Sequence, residues 1–523
     1  MTAGVLAIII DAGKQAKTPL YILIADAKEA YDLVWRDGLW AKMANTHPNL
    51  EDVRRARAMY EHMDAQIVEE DFESEPVALG QGVPQGGPRS GKLYALFNSD
   101  LPEELRVAGA GVKIGEQDLT CAIYLDDSMI PSQTETVARK ALITLEKYGD
   151  QWSQQWSIPK FKMLCLNVPN APGQWPFKGH YFDTVQKVKY LGIHFDPLKG
   201  WSAHFAMKRA AALILKVEIR RAGLFGGKNA PADSLEVARS MLWSTLDYGR
   251  GVASSQGTRC KTVAKALDSF HLETLREILG TSDRSMCAGV RGETGEIPDM
   301  WRERKRQMLM ARQMLTAPKG GLMRNLAIQA NSSSPKLGVF RTVHDFLQQT
   351  EGPSIDHFRS KGDIKRWILM KATQEWRQRV QDSSRLARTY RHSNSLKVRG
   401  YLKGAYPGRQ ILTRMRLDDL DLGAASIRGL SEIKDRCMIC GEDEETREHF
   451  VLRCPPLEPA RQANKQILET ARAQAQNEEE VLDFLILARP PGAEDDIKLA
   501  TSIGKLFHDL WTLRTSAIGA RPP

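Results

Sequence analysis

Three aspartates and one cysteine–histidine cluster carry most of the chemistry legible in this chain. Asp126 and Asp127 stand side by side in CAIYLDDSMI, inside an otherwise apolar run, and Asp26 closes the apolar run LYILIAD. If CAIY and SMIP are antiparallel strands, the pair lies at their turn, where a polar residue needs no functional explanation. Two adjacent like charges still repel, and a nearby cation is the simplest relief. Strands that each end in an aspartate can converge on divalent ions, whose hard character calls for oxygen ligands. Two such ions, about 3.5–4 Å apart, would clamp the attacking and the leaving oxygen of an in-line phosphoryl displacement. The second cluster reads Cys437-x2-Cys440-x8-His449-x4-Cys454. Three thiolates and one imidazole satisfy a closed tetrahedral zinc site, and Gly441 permits the tight turn such a knuckle requires. The competing reading, three buried thiols and a surface histidine, fits less well with the Cys-x2-Cys start and the compact span. A structural zinc would fold a small module with little core of its own.

The elements that must position these groups can be read from pattern. Residues 3–16 predict a short apolar helix that ends before Thr18 and Pro19, and LYILIA predicts a buried strand stopping at Asp26. KEAYDLVWRDGLWAKM predicts a helix with Ala30, Val34 and Leu39 on one side, and a second helix covers roughly 51–66. VALGQGVPQGGPRSGKLYALFNSDLP leads from a strand through a Gly/Pro loop into a helix, residues 134–156 are helical, and VQKVKYLGIHFDP supplies another strand. The first 200 or so residues therefore read as an α+β domain. From Trp201 to about Leu420 the pattern is mostly helical, with breaks near GLFGGKNAP and TAPKGG; the cysteine cluster and a charged helical tail follow.

Composition bounds the function. The chain has 523 residues, 42% hydrophobic and 26% charged, enough for roughly three domains with cores of their own. No apolar stretch approaches the ~20 residues a bilayer crossing needs, so no membrane partner is expected. The run GVLAIII lacks a basic leader and a cleavage site, and seven cysteines in so long a chain are no disulfide framework. An intracellular compartment follows. The net charge is +9, and between Arg359 and Arg409 there are 14 Lys or Arg against 3 Asp or Glu, a local excess of +11. Trp367, Trp376, Tyr390, Tyr401 and Tyr406 are interleaved with these cations. The segment reads either as a solvated helical face or as a nucleic-acid surface on which cations meet phosphates and rings stack on bases.

In order, ADAKEAYDLVW, GVPQGGPRSGKLYALFNSDLP, YLDD and VKYLGIHF resemble palm motifs A, B, C and E of a reverse transcriptase, with the nearest likeness to the non-LTR retrotransposon (LINE-type) class. CMICGEDEETREHFVLRCP is similar to the cysteine–histidine motif those proteins carry after the polymerase, and LDYG and LREILG resemble stretches between. The resemblance implies an RNA-directed DNA polymerase in which Asp26 and Asp126 hold two Mg²⁺ (or Mn²⁺) ions and Asp127 supports them. It implies further that a primer 3′-oxygen attacks the α-phosphate of a dNTP. By the same likeness Tyr31 is the aromatic under the sugar, leaving no room for a 2′-hydroxyl, although by position alone it is an ordinary buried helix residue. Gln85 and Gly86 match the loop that approaches the incoming nucleotide and template, where Gly82, Gly86 and Gly87 let backbone come close. Lys160 or Lys162 matches the lysine that neutralises or protonates the leaving pyrophosphate, and YLGIHF the hairpin that grips the primer end. The Zn²⁺ knuckle would contact template RNA or target DNA.

The implied organisation is a partial fingers and palm over 1–180, a primer-grip strand and helical thumb over 181–290, and a basic helical connector over 291–420. A zinc knuckle over 421–465 and a helical tail over 466–523 complete it. Most of the fingers, with their triphosphate-binding cations, and an endonuclease are expected to be missing, and Gly91 stands where a proline is usual. Two other readings stay open: a catalytically silent nucleic-acid-binding remnant, and an intron maturase relative. Nuclear as well as cytoplasmic residence is what the family implies.

Overall fold

A computed structural model of the chain describes residues 2–46, 48–70, 72–225, 229–253, 259–391, 393–420, 422, 436–488 and 496–519. They form two compact units. One comprises Met1–His204, Gly249–Gln256 and Gln307–Phe358; the other comprises Phe205–Tyr248, Gly257–Arg306 and Arg359–Pro523. The lead-in to the expected knuckle, residues 423–435, lies outside the described residues, as does part of the expected break at GLFGGKNAP.

The first unit begins with α1 (Thr2–Ala16) and β1 (Leu20–Asp26), followed by α2 (Arg36–Thr46) and α3 (Leu50–Glu61). Next come the short exposed strands β2 (Asp64–Ala65), β3 (Val68–Glu69), β4 (Phe72–Glu73) and β5 (Val77–Ala78), then α4 (Ser90–Phe97) and α5 (Leu101–Val107). A small hairpin, β6 (Val112–Ile114) and β7 (Gln117–Leu119), precedes β8 (Ala122–Tyr124), β9 (Asp127–Ser132) and α6 (Glu135–Trp152). β10 (Lys162–Leu166), β11 (Gln174–Phe177) and β12 (His180–Val185) complete the main sheet, and β13 (Val188–Tyr190) with β14 (Ile193–Phe195) forms a separate hairpin.

The sheet runs β11-β12-β10-β1-β9-β8, which puts β1 in its interior, antiparallel to both β9 and β10. All seven β1 residues are buried, so LYILIAD is continuous rather than alternating because both faces of the strand are covered. Tyr21, Leu23 and Ala25 join a core with Leu39 and Trp40 of α2, Leu93, Tyr94 and Phe97 of α4, and Ala138, Ala141 and Leu145 of α6. On the opposite face α1 covers the sheet, close enough that a side chain at Gly13 would meet Leu20 and Leu166 at 3.2 and 3.3 Å. Each fully buried Leu or Ile contributes about 1.5–3 kcal/mol, so this one strand anchors the layer beneath the acidic residues.

Three element expectations are corrected. The helix expected over 28–43 begins only at Arg36, because residues 28–33 turn away from Asp26, with Glu29 at φ 45°, and Ala30 falls in that turn. The strand expected in VALG shrinks to the two exposed residues of β5. VQKVKYLGIHFDP contains two strands rather than one. Leu191 (φ 49°) and Gly192 (φ 72°) make the two-residue turn between them, and successive left-handed residues suit the twist of a tight hairpin.

Candidate active site and metal centre

The strand register brings the three aspartates together. Asp26, last in β1, is the ladder partner of Asp127, first in β9, and Tyr124 of β8 faces Asp127 from the other side. Asp126 lies in the two-residue connection between β8 and β9. Its carbonyl accepts from Ala27 N at 3.2 Å, while the Asp26 carbonyl accepts from Ser157 N at 2.8 Å. Asp26 is therefore pinned by backbone on both sides and is 8% exposed. The other residue of the connection, Leu125, adopts φ 57°. For a branched side chain that conformation costs on the order of 1–2 kcal/mol, and such strain persists where surrounding structure over-determines it.

The electrostatics are those of an acidic cluster that Lys160 offsets only in part. Burial first, then the Asp126 and Asp26 carboxylates, push the Asp127 pKa up to about 6, against the pull of Lys160. Lys160 donates to Asp26 Oδ2 at 2.8 Å, and that bond holds the ammonium above its ordinary pKa. Lys162 instead starts β10 as the ladder partner of Ile24, so of the two lysines Lys160 is the one at the acidic site. Three carboxylates and one largely exposed ammonium leave a net negative pocket of oxygen donors, a donor set that fits hard divalent cations.

Around the acids, the turn after β1 is laced to the Gly-rich loop before α4. Val83 N donates to Tyr31 O at 2.7 Å, Gly82 N to Val34 O at 2.9 Å, and Arg36 Nε to Gly82 O at 2.8 Å. Gln85 Nε2 donates to Asp32 Oδ2 at 2.8 Å, a partnership the sequence reading missed because nothing in local pattern distinguishes Asp32. Of the three loop glycines, Gly82 (φ 82°) has no room for a side chain, since a β-carbon would lie 2.6 Å from Asp32 O. At Gly87 it would meet Ser90 Oγ at 2.6 Å, whereas Gly86 (φ 82°) faces open space. Tyr31 is partly buried, with burial and then Asp126 holding its phenol above the usual range, and it stacks on Tyr94. The β13–β14 hairpin reaches the same region through Tyr190, whose hydroxyl donates to Ala122 O at 3.4 Å.

In the second unit Cys437, Cys440, His449 and Cys454 converge, with their ligand atoms all within 4.8 Å of one another. Cys437 and Cys454 sulfurs are 3.7 Å apart, and Cys440 Sγ lies 3.3 Å from His449 Nε2. Tetrahedral bonds of typical zinc length imply edges of about 3.8 Å for S–S and about 3.5 Å for S–N, so the four groups fit such an ion. Gly441 (φ 72°) closes the turn, donating to Cys437 O at 2.8 Å. Although burial opposes it, N–H groups of Glu442 and Asp443 and the neighbouring thiols hold Cys440 below the ordinary thiol pKa, which favours the ligating thiolate. Arg514 Nε and Nη2 clamp Glu445 at 2.6 and 2.9 Å, tying the cluster to the terminal helix Ile497–Ala517.

The reading of 359–409 as a stacking surface is corrected in part. In the helix Lys361–Gln381 the residues Ile364, Ile368, Ala372, Trp376 and Val380 share one buried face. Tyr390 and Tyr401 are buried as well, donating to Gly289 O and Thr413 Oγ1, each at 3.1 Å. Arg388 is engaged by Glu448 and Asp483, and Arg399 and Arg409 are buried. Three of the five rings and several of the cations therefore build the core of this unit; Trp367 and Tyr406 remain partly exposed. No described helix is long and apolar enough to cross a membrane.

Residues 5–195 match the reverse transcriptase (RNA-dependent DNA polymerase) family. Over 266 residues the chain is 26% identical to the RNA-directed DNA polymerase from mobile element jockey of Drosophila melanogaster, covering 49% of this chain and 28% of that one. A probable RNA-directed DNA polymerase from transposon BS of the same organism is 27% identical over 203 residues, covering 34% and 20%. The chain thus spans between a fifth and a third of the length of these relatives. Telomerase from Candida Tropicalis in complex with a fragment of telomeric RNA aligns over 62% of this chain and 52% of its own at 10% identity, with a TM-score of 0.29, too loose an overlap to define a common fold. Residues 5–195 therefore match a reverse transcriptase domain, in a chain similar to the RNA-directed DNA polymerases of mobile elements.

Proposed function

We propose that this chain is the polymerase segment of a non-LTR retrotransposon protein, extending a DNA primer with dNTPs on an RNA template. The observation that carries the reading is the ladder pairing of Asp26 with Asp127 beside Asp126, with Lys160 as the adjacent cation. Asp26 and Asp126 would hold two Mg²⁺ or Mn²⁺ ions, with Asp127 supporting them; when bound, such ions lower the charge barrier at the attacking and leaving oxygens. Lys160 carries its proton at Nζ, within reach of the same carboxylates, and would offset charge on the departing pyrophosphate. Tyr31 would sit beneath the incoming sugar. Gln85, held by Asp32, and Gly86, with no side chain to intrude, would line the approach of base and template. In the second unit Cys437, Cys440, His449 and Cys454 would hold Zn²⁺ and shape a nucleic-acid-binding module.

Primer extension on an RNA template, wild type against Asp126→Asn, tests the proposal. Incorporation should fall by about three orders of magnitude or more, since oxygen ligation of the ions is lost while the fold is retained. Equal incorporation by the two proteins would sink it. Salt-dependent RNA binding that persists without incorporation, and weakens in Cys437→Ser, would favour the silent binding remnant instead.

A further inference from the structure

We infer that Tyr94 is a positioning residue that sets how sharply this site separates deoxyribonucleoside from ribonucleoside triphosphates, by backing the ring of Tyr31. The inference rests on the polymerase reading above. The two rings stack with centroids 5.5 Å apart and planes 29° from parallel. Tyr94 is 1% exposed, so it is a wall of the core rather than a surface ring. A β-carbon at Gly91 would lie 3.6 Å from the Tyr31 hydroxyl and 3.7 Å from Leu125 Cδ2, so the hydroxyl end of the ring is bounded by the start of α4 and by the turn that carries Asp126. The backbone of Tyr31 is fixed independently by the Val83 N–H, at 2.7 Å.

Selection against one hydroxyl is a steric test, and it is only as sharp as the wall is stiff. A ring that can swing about its first side-chain torsion would admit the extra oxygen. Tyr94 removes that freedom because its own movement would open the core between β1, α2 and α6. The platform is itself anchored from the far end of α4, where Lys42 Nζ donates to Phe97 O at 2.6 Å, to Asp100 at 2.7 Å and to Tyr148 at 2.8 Å.

The test is single-nucleotide incorporation by the full chain on an RNA template, with dNTP and the matching rNTP, read as the ratio of kcat/KM values. Tyr94→Phe keeps the ring and should keep the ratio. Tyr94→Leu keeps apolar volume but not the stack, and should lower the ratio about two- to tenfold, mainly through a lower KM for the rNTP. Gly91→Val, which presses on the Tyr31 hydroxyl with Tyr94 intact, should also shift the ratio. Tyr31→Ala should lower it further than any of these. An unchanged ratio in both Tyr94→Leu and Gly91→Val, with Tyr31→Ala relaxed, overturns the inference and leaves the polymerase reading standing. An unchanged ratio in Tyr31→Ala removes the gate on which the inference depends, and absence of wild-type incorporation sinks the polymerase reading itself.

Discussion

Asp26 and Asp127 face each other across the β1–β9 ladder, one at the end of its strand and the other at the start of the next. Antiparallel pairing places the Cα atoms of opposed residues about 4.5–5.5 Å apart, so the carboxylates are held close whether or not a cation is there to balance them. The arrangement is costly for the protein alone and makes sense as a receptor for positive charge.

That cost is measurable as a pH dependence. Asp127 has a folded-state pKa of about 6, above the 3.8 of a free carboxyl. Folding therefore favours its protonated form: that contribution is fully present below about pH 4 and is lost as pH rises through about 6. Without divalent ions, Asp127→Asn should unfold at the same temperature as wild type near pH 4 and at a higher one at pH 8. A fully buried group with this shift would give ~3 kcal/mol; Asp127 is partly solvated, so roughly 1 kcal/mol is expected. Millimolar Mg²⁺ should narrow the gap by stabilising wild type.

Lys160 pulls Asp127 back toward the ordinary carboxyl range. Its removal in Lys160→Ala should move the Asp127 titration above 6, visible by carboxyl carbon NMR and as an alkaline shift in the acid limb of the incorporation profile. Lys162→Ala, whose backbone pairs with Ile24 farther along the sheet, should leave that titration in place.

The loop glycines should not be equivalent. Gly82→Ala combines φ 82° with a β-carbon 2.6 Å from Asp32 O, so backbone must move and the turn after β1 with it; Gly86→Ala meets the same φ but open space. A destabilisation of about 2–3 kcal/mol for the first and about 1 kcal/mol for the second is expected by urea unfolding. The first should also loosen the Gln85–Asp32 contact.

If the cysteine–histidine cluster of the second unit holds zinc as proposed, chelation or Cys454→Ala should release one zinc per chain by elemental analysis and lower the unfolding temperature, because a structural metal carries folding free energy. Asp443 Oδ2 lies 3.7 Å from His449 Nδ1, the nitrogen away from Cys440, and Asp443→Ala should weaken zinc about tenfold in chelator competition.

The buried Arg514–Glu445 clamp is a second hold on the same module. Arg514→Met should cost about 3–5 kcal/mol by removing the bidentate cation from the buried Glu445 carboxylate, while the double change with Glu445→Leu should recover most of it.

The order of motifs, the strand that ends in Asp26, the acidic hairpin and the spacing that brings Cys437, Cys440, His449 and Cys454 together were all legible along the chain, because each depends on neighbours within a few residues. A continuous apolar run means a doubly covered strand, and Cys-x2-Cys means a tight turn, whatever lies elsewhere. The partners of these groups were not legible. Lys160 rather than Lys162 meets Asp26, and Asp32 rather than solvent meets Gln85, because strand register and the path of the turn after β1 set those distances. Tyr94 looks like any helix residue until the sheet and α4 stack it under Tyr31. Cations and rings alternating through 359–409 suggested a binding face, yet Trp376, Tyr390 and Tyr401 point into a core, since composition does not say which side of a helix turns inward. Residue type and local spacing determined what chemistry is on offer. Tertiary packing decided which groups share a site and which are spent on holding it.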